Sequence, residues 1–136
     1  MSEEKLFEMS LPATIEGCYA VLREMSGQEG SPISIKDVGI PKYDDDDAPS
    51  EISVSIGAMP DVWVASGSIT LVKTNANRTW VRFYKTTEPD KFVQFTVMDD
   101  PEKQAQVDQA IANAQELVEA AHDAFQKRVA ELKMVD

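Results

Sequence analysis

The order of patterns along the chain predicts an α+β protein. It has a curved antiparallel sheet of about six strands, a short N-terminal helix, and a long C-terminal helix packed across the sheet. Three observations predict it. Apolar residues recur at helical spacing just after Thr14, strand-like alternation fills the middle from Ile33 to Met98, and no Gly or Pro interrupts the tail between Pro101 and Asp136. The 136 residues fit one domain, 1–136, long enough to bury a single core.

The first strand is expected around residues 4–10, with Phe7, Met9 and Leu11 on one side and Pro12 ending it. Ile15, Cys18, Tyr19, Leu22 and Met25 then fall at spacings of three and four, which places them on one face of a helix capped by Thr14. The segment from Ser26 to Pro32 has turn chemistry and ends it. Ile33, Ile35 and Lys36 suggest a second strand, closed by Gly39 and Pro41, and a polar loop follows from Tyr43 to Ser50. Ile52, Val54 and Ile56 alternate with serines as a half-buried strand does. After a turn at Met59-Pro60-Asp61, Val62 to Lys73 reads as one bent strand or two short ones hinged at Gly67.

Asn75 to Arg78 suits a hairpin turn, because Asn tolerates left-handed backbone angles. The next strand, Thr79 to Lys85, has Trp80, Arg82 and Tyr84 on one face and Val81 and Phe83 on the other. Phe92 to Met98 completes an expected meander. Asp100 is the expected cap of the last helix and Pro101 its first residue, where the missing N–H costs nothing. Its stripe is Val107, Ile111, Ala114, Val118, Ala121, Phe125, Leu132 and Val135. At about 1.5 Å per residue such a helix would reach about 50 Å, against roughly 35 Å for a compact domain of this size. It must therefore kink or overhang, and its alanines leave room for a homodimer through this helix.

Thirteen basic against 24 acidic side chains give a net charge of -11. Phosphate binding needs a basic surface, so nucleic-acid binding is disfavoured, and so is attraction to an anionic membrane. No apolar run approaches the ~20 residues that span a bilayer. The first residues carry no secretory pattern, and the single cysteine forms no internal disulfide, so the expected compartment is the cytoplasm.

The segment Phe7-Glu8-Met9-Ser10-Leu11-Pro12-Ala13-Thr14-Ile15-Glu16-Gly17-Cys18-Tyr19-Ala20-Val21-Leu22 resembles the opening of the START-like (SRPBCC, helix-grip) superfamily. Gly67 to Leu71 and Trp80 to Tyr84 are similar to its later strands. The chain departs from that pattern in its strand count, about six where seven are usual, and in its longer last helix. The resemblance implies a non-enzymatic or weakly enzymatic domain that binds a small apolar or amphipathic ligand between sheet and helix. It supplies no catalytic residue. The alternation nominates Phe83, Val93, Phe95 and Val97 from the sheet and Val118 and Phe125 from the helix as pocket-liners, although a filled core is the ordinary fate of such residues. Trp63 and Trp80 are large enough to line a mouth, and the trio Trp80, Arg82 and Tyr84 could grip a carboxylate or aromatic group.

Two other functions fit the size and acidity: a dimeric interaction module similar to secretion chaperones, and an acidic nucleic-acid mimic. No cofactor or metal is expected. Asp44, Asp45, Asp46 and Asp47 lack the alternate spacing of a calcium loop and read as a solvated loop. His122, the one histidine, is expected at the surface or boundary, and Cys18 as a small buried hydrophobe.

Overall fold

The computed structural model describes residues 2–45, 48–56, 65–75, 77–87 and 101–136. Six strands form one sheet: β1 (Ser2–Leu11), β2 (Ile35–Val38), β3 (Lys42–Tyr43), β4 (Pro49–Ile56), β5 (Ala65–Asn75) and β6 (Arg78–Thr87). Their order is β1-β6-β5-β4-β2, with β3 also beside β4, and every pairing is antiparallel. Among the described residues two helices, α1 (Ile15–Ser26) and α2 (Pro101–Glu131), lie on the sheet, α1 against β4, β5, β6 and β2, and α2 against β5, β6 and β1.

Alternation dictates which face is covered. Ile52, Val54 and Ile56 of β4, Ile69 and Leu71 of β5, and Val81 and Phe83 of β6 are all buried and point at the helices. Cys18 and Leu22 of α1 and Val118, Phe125 and Val129 of α2 meet them and are wholly buried. Thr14 caps α1, its Oγ1 accepting from the Gly17 N–H at 3.1 Å. The β5–β6 hairpin turns on Asn75, whose side chain accepts from the Asn77 N–H at 2.9 Å.

Several boundaries differ from the sequence pattern. The sheet has six strands among the described residues, but β3 is one of them, whereas Phe92 to Met98 lies outside the described residues, as do the turn at Met59 to Asp61 and the expected cap Asp100. The polar loop expected from Tyr43 to Ser50 is shorter, because Lys42–Tyr43 and Pro49–Glu51 pair across it. Asp44 pins that loop, accepting from the Ala48 N–H at 3.0 Å and from Lys73 Nζ at 2.7 Å. Gly67 is not a hinge: β5 runs straight through it, paired with Ile56 on one side and Lys85 on the other.

The end of α2 also departs from its expected stripe. Leu132 and Val135 are exposed, because the helix stops at Glu131. Lys133 adopts φ 57°, its N–H reaches Ala130 O at 3.1 Å, and Met134 N–H reaches Val129 O at 2.8 Å. That is a Schellman cap, which normally has Gly at the left-handed position and so was not visible at a lysine. Met134 packs against the core cluster as the cap's hydrophobic contact. At the other end, Pro101, Ala105, Asp108 and Gln109 are exposed, and among the described side chains the first buried one is Ala110. With 31 residues at about 1.5 Å each, the helix is long enough to project beyond the sheet there.

Candidate functional site

The space between α2 and the sheet has two ends of different character. Around the C-terminal half of α2 it is filled by rings. Phe83 and Phe125 are fully buried with centroids 5.9 Å apart. His122 lies flat on Phe7, centroids 4.0 Å apart, and edge-on to Phe83 at 5.4 Å. Its side chain is 15% exposed and its Nδ1 sits 3.2 Å from Asp123 Oδ1, so it is the boundary residue expected, with its ring serving as packing.

Around the N-terminal half of α2 the space stays open. A cleft of about 290 Å3 lies between the end of β4, the start of β5 and the helix. Ile56 and Ala65 line it from the sheet, and Ala110, Ala114 and Leu117 from α2. Ser66 and Asn113 add polar groups to this apolar lining. Asn113 Oδ1 accepts from Gln109 Nε2 at 2.7 Å, which fixes the amide along the helix surface. The cause of the cleft is local. Alanines at 110 and 114, one turn apart, stop short of the strands, while Val118 and Phe125 further along reach them.

Gly67 separates the two ends. A methyl group placed there would come within 3.0 Å of Val118 Cγ2 and 3.1 Å of Ile56 Cγ1. The glycine lets the helix approach β5 closely, with Val118 and Ile56 both beside it and Ile56 also lining the cleft.

The residues nominated from sequence therefore divide. Phe83, Val118 and Phe125 come together in the packed core, 0% exposed. Trp80 and Arg82 stand on the opposite face of β6, half-buried, and do not join them. Arg82 Nε donates to Glu8 Oε2 at 2.6 Å, so its charge is already engaged. Lys5 and Arg82 both hydrogen-bond the Glu8 carboxylate and hold it below its ordinary pKa. Val93, Phe95, Val97 and Trp63 lie outside the described residues. Cys18 is wholly buried, and burial pushes its thiol upward, which leaves it unreactive. Among the described residues no cluster could hold a metal ion, and no helix is long and apolar enough to cross a membrane.

Sequence reasoning missed most of the cleft: of its lining residues only Ala114 belonged to the expected stripe on α2. Two other depressions are larger, about 340 Å3 between the end of α1 and α2 and about 430 Å3 between α1 and β2. Charged and polar side chains such as Glu29, Lys127 and Arg128, or Arg23 and Ser26, form much of their walls. The smaller apolar cleft is the better candidate, because ligand sites are mostly apolar with a few placed polar groups.

No family model matches this sequence, and no curated protein does. The solved structure of the di-domain ARO/CYC BexL from the BE-7585A biosynthetic pathway is similar over 87% of this chain and 47% of its own, with 15% sequence identity and a TM-score of 0.33. The chain spans about half the length of that structure.

Proposed function

We propose that the protein binds a small apolar or amphipathic molecule in the cleft between β4, β5 and the N-terminal half of α2, as a START-like domain without catalysis of its own. The observation that carries this reading is the apolar cleft itself. Its volume of about 290 Å3 is near the lower end of the roughly 300–1,000 Å3 of ligand pockets. Ile56, Ala65, Ala110, Ala114 and Leu117 supply burial, and Ser66 and Asn113 offer hydrogen bonds to one polar group at the rim. None of these side chains transfers protons near neutral pH, which favours binding over acid–base chemistry. Val118, Phe83 and Phe125 belong to the buried core beside the cleft. Val93, Phe95 and Val97 remain candidate liners on their alternation alone.

Native mass spectrometry of the purified protein, before and after denaturing extraction, tests the reading alongside an Ala114→Leu variant. The expected result is a co-purified small molecule in the wild type that the variant lacks. Ala114 is buried and borders the cleft, so the added leucine atoms fill it and the variant should lose about 1–3 kcal/mol of stability. A molecule retained in full by Ala114→Leu would move the site elsewhere. No saturable binding of any apolar probe would remove the proposal.

A further inference from the structure

β2 and β3 pair with the same side of β4, since β5 occupies the other, so residues 35–43 form one rim of the sheet. This rim carries Val38, Ile40 and Tyr43, which are 40%, 96% and 60% exposed. An isoleucine almost wholly in water at a sheet edge invites a partner. Beside it, Lys36 and Asp37 are exposed and make no ion pair among the described residues, unlike Lys42 on the same rim, which holds Glu51 at 2.9 Å.

We infer that this rim is the contact between two copies of the chain, joined edge to edge through β2 about a two-fold axis. Antiparallel pairing centred between residues 36 and 37 sets Lys36 opposite Asp37 of the second copy, twice, and Ile35 opposite Val38, twice. The sequence Ile35-Lys36-Asp37-Val38 is thus complementary to itself in charge and in apolarity, as an isologous interface requires. The other edge, β1, is guarded. Glu3, Glu4 and Glu8 outnumber Lys5 there, and Lys5 is paired with Glu8 at 3.0 Å, so two copies meeting at β1 would oppose like charges. A second copy through α2 is less well supplied, because Val118, Ala121 and Phe125 are spent on the chain's own sheet. The bulge at Lys36 and the four-residue length of β2 limit the new ladder, so the dimer is weak and concentration-dependent.

Sedimentation velocity over a concentration series tests this with three variants, each checked for native circular dichroism. Lys36→Asp and Asp37→Lys each place like charges opposite one another and should weaken self-association roughly tenfold. Mixed in equal amounts, the two restore opposite charges and should form a heterodimer at wild-type concentrations. Leu132→Lys, at the exposed end of α2, should leave association unchanged. A wild type that stays monomeric at every concentration overturns the inference. So does a dimer that is indifferent to both rim variants, a mixture that fails to associate, or loss of the dimer in Leu132→Lys.

Discussion

The two halves of α2 face the same sheet and reach opposite outcomes. From Val118 to Val129 the helix presents Val, Ala, Phe and Val to β5 and β6, and the rings of Phe83, Phe125 and His122 fill the gap. From Ala110 to Leu117 it presents alanines to the ends of β4 and β5, and a cleft remains. The helix is continuous throughout, so the side chains it presents to the sheet contribute to the difference between core and cleft. The room left between helix and sheet thus depends on where the large residues of α2 stop.

The largest effect is expected from emptying the filled half. Phe125→Ala should destabilise the protein by about 3–5 kcal/mol in urea unfolding, because it leaves a void the neighbouring rings cannot close. A loss below about 1 kcal/mol would mean that this half is as loosely packed as the other. The seam between the halves comes next. Gly67→Ala should cost roughly 1–3 kcal/mol, as its methyl group meets Val118 and Ile56 at 3.0 and 3.1 Å. An unchanged unfolding midpoint would show that α2 can lift from β5.

Smaller effects sharpen the picture at the margins. Lys133→Gly should stabilise the filled end by roughly 1 kcal/mol, since glycine takes the left-handed cap conformation without strain. A loss of stability would show that the lysine side chain contributes more than its backbone costs. Glu8 gives the smallest, pH-dependent term. Its folded pKa lies below the ordinary 4.5, so its contribution is complete above that value and lost as the pH falls through the lowered one. Glu8→Gln should therefore lose stability at pH 7 and respond less to acid than the wild type. Equal losses on acidification in both proteins would contradict the Glu8–Arg82–Lys5 arrangement.

Much of this fold was legible in the sequence, because period alone separates a strand such as Ile52-Ser53-Val54-Ser55-Ile56 from a helix such as Ile15 to Met25. The cap at Thr14 and the Asn75 hairpin were readable from local chemistry. What was not readable depended on long-range contact. Gly67 reads as a hinge until Val118 is seen lying over it, and Leu132 reads as core until Lys133 turns the chain away. The candidate site was half-legible: the stripe on α2 was evident, but Phe83 and Phe125 look like pocket walls until they are found packed on each other. An absence of side-chain volume at Ala110 and Ala114 leaves no hydrophobic signal to read.

The most direct test of the cleft is a backbone-amide NMR titration of the folded protein with a small apolar probe such as 2-naphthol. The account predicts saturable shifts at Ile56, Ala65, Ser66, Ala110, Asn113, Ala114 and Leu117, with Phe125 and Val129 unmoved. Shifts centred on Phe83 and Phe125, or none that saturate, would contradict it.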